Sequence, residues 1–155
     1  IVAAVKDAVS IPVWAKLTPN THLLNDIALA VQDGGGDAVV AINTLKAMVI
    51  SPEFRRPYLS NRFGGLSGPA IRTVGVRDIF DLYEAVSIPL IGVGGISDWR
   101  DAAQYIMAGA RAFQIGSAIA KDGPEVFATI NRELQEFMGD NGYESIADMV
   151  GVAHE

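Results

Sequence analysis

Residues Pro89 to Gly95 read PLIGVGG, Ile96 follows, and Gln114 to Ala118 read QIGSA. An apolar run ends in paired glycines, a helix-like segment follows, and a second apolar run ends in Gly-Ser. Two adjacent strands of this kind would each present bare backbone N–H groups at their C-terminal ends. Glycine lets a backbone approach a ligand closely, and a helix N-terminus adds partial positive charge, so the pattern suits a phosphate. Gly94, Gly95, Gly116 and Ser117 are the residues expected to hold it. The plain alternative is a pair of tight turns that bind nothing.

Working outward, the same alternation recurs. Pro12 to Leu17 (PVWAKL) is expected to form a short strand. Leu24, Ile27, Ala28 and Val31 recur at helical spacing before Gly34, Gly35 and Gly36. Ala38 to Asn43 (AVVAIN) has the unbroken apolar character of a buried parallel strand. Val76, Ile79, Phe80 and Tyr83 mark a helix ending near Val86, and Leu90 to Val93 is the third strand. Asp98 is expected to cap a helix burying Ala102, Ala103 and Ile106, with Asp101 in support. Ala112 to Gly116 is the fourth strand, Val126, Phe127, Ile130, Leu134 and Phe137 are expected to form the inner face of a long helix, and Ser145 to Val150 is a short one. Ile1 to Ala8 resembles the last turns of a helix. Thr44 to about Ala70 is expected to be irregular and, being longer than a plain loop, functional.

Four βα units with right-handed crossovers give parallel, adjacent strands. A doubly wound sheet also reads this way. A (β/α)8 barrel is favoured because Lys16, Asn43, the Gly94 pair and Gly116 all fall at strand C-termini, where such barrels place their sites. Four strands are half of that barrel, so the expected fold is an α/β half-barrel of the TIM type. Its exposed edges would demand a partner, a second copy or another chain.

Composition narrows the function. Of 155 residues, 50% are apolar and 19% charged, enough for a real core, and the net charge of −6 argues against nucleic-acid or anionic-membrane surfaces. The chain has no cysteine, which removes disulfides, thiolate metal sites and a cysteine nucleophile. No apolar run approaches a membrane span, and the first residues lack a signal-peptide pattern, so a soluble cytoplasmic protein is expected. His22 and His154 lie far apart without ligand-type neighbours, so no metal site is expected. Trp14 and Trp99 are expected in the core or packed against helices, and Lys46 in solvent. Neither a Ser-His-Asp arrangement nor a Walker motif is present.

Lys16, in AKLTPN, ends a strand and would bring a cation to the barrel mouth, suited to an anionic ring or an enolate-like charge; a snorkelling surface lysine is the plain alternative. Asn43 and Thr44 end the next strand, and an asparagine can both donate to and accept from an amide-containing ring. In RFGGLSGPAIR, Gly64, Gly65, Ser67 and Gly68 precede a helix, and so many glycines imply positive φ or close approach.

These residues are familiar as a set. KLTPN (Lys16 to Asn20), INTLKAM (Ile42 to Met48), GGLSGPAIR (Gly64 to Arg72), IPLIGVGGI (Ile88 to Ile96) and AGARAFQIGSA (Ala108 to Ala118) occur in this order, and GYESIADMVG (Gly142 to Gly151) follows. Together they resemble the dihydroorotate dehydrogenases, and also the pyrimidine-reducing part of dihydropyrimidine dehydrogenases. The resemblance implies an FMN-binding (β/α)8 barrel of which residues 1–155 are the C-terminal half. It implies oxidation of dihydroorotate to orotate in pyrimidine biosynthesis; the alternatives are reduction of uracil or thymine, and a non-enzymatic phosphate-binding half-barrel. By the same resemblance Lys16 contacts the isoalloxazine and Ile42 the flavin. Asn43 and Thr44 hold the dihydropyrimidine substrate, Ser67 and Gly68 line the ribityl and phosphate, and Gly94, Gly95, Gly116 and Ser117 cradle the phosphate. The family's base, a cysteine or serine on a loop from an earlier strand, has no counterpart here, so the catalytic base is unknown. A homo-oligomer or a partner electron-transfer subunit is implied.

Overall fold

The computed structural model describes residues 1–155 throughout. The chain opens with α1 (Val2–Ala8), β1 (Trp14–Leu17), α2 (Leu24–Asp33) and β2 (Ala38–Ala41). Four short strands follow: β3 (Leu45–Ala47), β4 (Ile50–Ser51), β5 (Arg56–Pro57) and β6 (Gly64–Leu66). A 3-10 turn at Pro69–Ile71 leads into α3 (Arg72–Ala85), then β7 (Leu90–Val93), α4 (Trp99–Met107) and β8 (Ala112–Gln114). The chain ends with α5 (Ser117–Asp122), α6 (Glu125–Asp140), α7 (Ile146–Met149) and a 3-10 turn at Val152–His154.

β1, β2, β7 and β8 form one sheet in that order, every pair parallel. This is the expected half of a (β/α)8 pattern, with β1 and β8 as its two edges. Register aligns Lys16 with Val40, Val40 with Ile91 and Ile91 with Ala112; the next row is Leu17, Ala41, Gly92 and Phe113. Successive residues of a strand point to opposite faces, so the two rows belong to different faces. Leu17, Val39, Ala41 and Leu90 join a core of 19 buried residues with Leu24, Ala28 and Val31 of α2 and Ile79 and Leu82 of α3. Ala38, Val40 and Ile91 form a separate small cluster with Val93 on the face that carries Lys16. Trp14 shares that face and is 56% exposed, contrary to the expected core or helix-packed position, because it lies on an edge strand with no helix over it. Trp99 packs at 4.8 Å from the Phe137 ring, as expected.

Local chemistry explains the element ends. The Asp98 carboxylate accepts from the N–H groups of Arg100 (2.8 Å) and Asp101 (3.0 Å), capping α4 as its position implied. Asp37 accepts from Lys6 Nζ at 2.8 Å and from the Val13 N–H at 2.6 Å, tying α1 to the start of β1. The lysine, and then the backbone N–H, hold its carboxyl below the usual range. β2 stops at Ala41, two residues earlier than expected. Even so, the N–H groups of Ile42 and Asn43 still reach Val93 O and Leu17 O, both at 2.8 Å, across a cis Ala41–Ile42 peptide.

Two regions differ from expectation. Thr44 to Ala70 contains two antiparallel ladders, β3 with β6 and β4 with β5, which form an arm projecting from the end of β2. β8 ends at Gln114, and Gly116 caps α5, a helix the sequence did not announce. In helices, Ile27 and Phe127 were expected inward but are 38% and 41% exposed.

Candidate functional site

The four strands bring their C-terminal ends to one rim. Lys16 lies one residue before the end of β1, Asn43 two after the end of β2, Gly94 directly after β7 and Gly116 two after β8. Lys16 is exposed and belongs to the face without helices. Asn43 is exposed and Thr44 half-buried, whereas Ile42 is 2% exposed.

Asn20, the last residue of the KLTPN motif, organises this part of the rim. Its Nδ2 donates to Thr44 O at 2.9 Å and to Thr18 Oγ1 at 2.9 Å, and its Oδ1 accepts from the Lys46 N–H at 2.8 Å. The turn after β1 is thus fastened to the turn after β2. A cavity of about 280 Å³ opens there, with Asn20, Asn43, Thr44, Lys46 and Phe63 among its lining residues. Lys46 is exposed, with Nζ 4.3 Å from the centre of the Phe63 ring.

The glycine loops meet on the other side of the rim. Gly68 (φ 82°), Gly94 (φ 135°) and Gly95 (φ 72°) occupy left-handed or otherwise glycine-favouring backbone. A Cβ on Gly95 would lie 2.6 Å from Gly68 O and 3.1 Å from Arg72 N. One on Gly68 would lie 3.6 Å from Ser117 Oγ, and one on Gly116 would meet nothing within 4 Å. Gly68, Gly95 and Ser117 are therefore neighbours, while Gly116 faces open space. The N–H groups of Gly95, Ile96 and Gly116 donate to no backbone carbonyl. Arg72, at the start of α3, also reaches this place, although its N–H already donates to Pro69 O. Free backbone donors around an open space with glycine walls form a cradle suited to a phosphate. Gly64 and Gly65 have a different reason to be small. They sit in β6, where a Cβ would strike Leu59 Cδ1 (2.7 Å) and Thr44 Oγ1 (2.3 Å).

Side chains whose role here the sequence did not announce hold the cradle. Asp101 was read as support for the cap, yet its Oδ2 accepts from Ser97 N–H (2.9 Å) and Ser97 Oγ (2.8 Å), and its Oδ1 pairs with Arg72. It is buried, and it links the loop after β7 to the start of α3. Tyr105 Oη donates to Gly94 O at 2.8 Å. The tyrosine's signal was indirect: glycine inside a helix at Gly75 and inside a strand at Gly92, the two positions its side chain crowds.

No three His, Asp or Glu side chains converge as a metal site would require, and no helix is long and apolar enough to cross a membrane. A separate cavity of about 350 Å³, lined by Thr21 to Asp26 with Arg77, Asp78 and Asp81, shares no residue with the rim.

The family model described as dihydroorotate dehydrogenase matches residues 1–138. The chain belongs to the dihydroorotate dehydrogenase family. It is 50% identical, over its whole length, to the dihydroorotate dehydrogenase B (NAD(+)) catalytic subunit of Methanothermobacter thermautotrophicus, of which it covers 52%. Identity is 49% to the subunit of that name from Methanosarcina acetivorans, covering 100% of this chain and 50% of the relative. It is 46% to that of Thermococcus kodakarensis, covering 100% and 51%. The chain thus spans about half the length of the curated relatives it matches. The family match accounts for the order of the motifs along the four strands; the rim geometry is this chain's own.

Proposed function

We propose that this chain forms the C-terminal half, residues 1–155, of an FMN-dependent barrel that oxidises dihydroorotate to orotate. The observation carrying this reading is the convergence of Gly68, Gly95, Gly116 and Ser117 around free backbone donors on the same rim as Lys16, Asn43 and Thr44. The cradle fits a flavin phosphate: Gly116 leaves space, Gly95 admits no side chain, and N–H groups await an acceptor. Ser67 and Gly68 close its far side, and Gly94 and Gly95 its near side.

Bound there, the flavin would take up the hydride released as the substrate's CH–CH bond becomes a double bond. The chain's residues do the rest of what this half contributes. Lys16, an exposed cation at the mouth, would stabilise negative charge on the flavin ring. Ile42 would offer that ring an apolar contact. Asn43 offers an amide whose donor and acceptor match the imide edge of a pyrimidine, and Thr44 adds a hydroxyl. Asn20 holds both in place through Thr44 O and Lys46 N–H. The proton lost by the substrate goes to a base that this chain does not supply.

The relatives are named as catalytic subunits of an NAD(+)-type enzyme, which supports a partner electron-transfer subunit. An arm with Val49, Ile50, Phe54 and Tyr58 all more than half exposed also supports association, with such a subunit or a second copy. The relatives' names favour dihydroorotate over uracil or thymine as the pyrimidine. The test is a complete barrel carrying this sequence, purified and mixed anaerobically with substrate. Dihydroorotate should bleach its flavin absorbance and dihydrouracil should not. Bleaching by dihydrouracil alone, or a barrel that takes up no FMN, would overturn the assignment.

A further inference from the structure

We propose that Tyr105 is a positioning residue for phosphate recognition: by holding the carbonyl of Gly94 it aims the N–H of Gly95 into the cradle. The inference rests on the flavin reading above and extends it to a residue that touches neither flavin nor substrate.

Gly94 C=O and Gly95 N–H belong to one peptide unit, and that unit is trans, so the two groups point in opposite directions. Gly94 (φ 135°) and Gly95 (φ 72°) both sit in backbone regions that glycine enters freely, so the local sequence alone does not set the orientation of the peptide between them. Tyr105 Oη, donating at 2.8 Å from α4, draws the carbonyl toward the helix layer. The N–H then points away from that layer, toward the rim, and it donates to no backbone carbonyl. Arg72 O is a second, weaker acceptor for the same hydroxyl at 3.5 Å.

The fold gives this hydroxyl its own slot. A Cβ at Gly75, inside α3, would lie 1.9 Å from Tyr105 Oη, and one at Gly92, inside β7, 2.4 Å from the ring. Glycine is unfavourable in both settings, and here it leaves room for one side chain. Tyr105 is fully buried, and burial raises its phenol above the ordinary range, with Asp78 adding to the effect, so the hydroxyl keeps the proton it donates.

The test compares two ligands that differ only in the phosphate. Apo protein of a complete barrel carrying this sequence is titrated with FMN and with riboflavin, as the parent and as Tyr105→Phe, which keeps the ring and removes one oxygen. Loss of one neutral hydrogen bond should weaken FMN by roughly 3- to 10-fold, with riboflavin affinity unchanged. Gly75→Ala, which forces the hydroxyl out of its slot, should give the same split. Equal weakening of both ligands would reduce Tyr105 to general packing, and unchanged FMN affinity would remove it from the site; either result overturns the inference. A parent barrel with no preference for FMN over riboflavin would instead overturn the phosphate site itself.

Discussion

Replacing Gly95 by alanine separates backbone strain from contact at the cradle. Gly95 has φ 72°, and its added Cβ would lie 2.6 Å from the backbone oxygen of Gly68 and 3.0 Å from Arg72 Cβ. A left-handed alanine costs about 1–2 kcal/mol, and forcing a methyl into packed surroundings about 1–3 kcal/mol. Neither neighbour is the free end of a long side chain, so the contact cannot be relieved cheaply. The sum, about 2–5 kcal/mol, is a large share of an ordinary domain's stability. Gly142 is the internal control: its φ is 76° and nothing lies within 4 Å of its Cβ, so Gly142→Ala should show only the backbone part, about 1–2 kcal/mol. Urea unfolding of both variants in a complete barrel, with unchanged slope, measures the difference. FMN occupancy should fall in Gly95→Ala and stay full in Gly142→Ala. If the two variants lose the same stability, the close approach of the Gly68 and Gly95 loops is not as described.

Two further outcomes follow from the same geometry. Lys16→Ala should retain flavin but lower turnover by about 10²–10³-fold, the scale of removing one charge-stabilising donor; steady-state assays with flavin absorbance as the loading control check it. Burial raises the Asp78 carboxyl above its ordinary value of 3.8, and the Arg77 ion pair only partly offsets this. The folded state therefore holds that proton more tightly than the unfolded chain, so this group's contribution to stability is greatest below pH 3.8 and is lost as pH rises through the folded pKa. Asp78→Asn should remove that decline, and urea midpoints of parent and variant compared across acidic pH would show it; parallel curves would refute it.

What the sequence revealed and what it hid have physical causes. Leu90 to Val93 was legible because a buried parallel strand is an unbroken apolar run, and Asp98 because a cap acts within three residues. The glycine clusters pointed to the rim because glycine at a strand end has few structural uses. Trp14 misled because residue type says nothing about whether a strand lies at a sheet edge. The ladders of the arm stayed hidden since β4 and β5 are only two residues long and too short for a period. α5 is six residues between glycines and buries only Ala118. The cradle's supports were hidden for another reason. Asp101 reaches Arg72, 29 residues away, and Tyr105 reaches Gly94 from the next helix. Only folding places such partners together; Asp101 leaves no trace in the sequence, and the trace of Tyr105 is the pair of glycines its side chain crowds, Gly75 and Gly92.

The phosphate cradle is tested most directly at Gly116, where an added Cβ meets no protein atom within 4 Å and a side chain would stand where the phosphate is proposed to sit. Purified complete barrels, parent and Gly116→Val, are compared by flavin absorbance per protein and by thermal midpoint. The expected result is loss of flavin from the variant with the fold retained. Full flavin occupancy in Gly116→Val would place the phosphate elsewhere and contradict the reading of this rim.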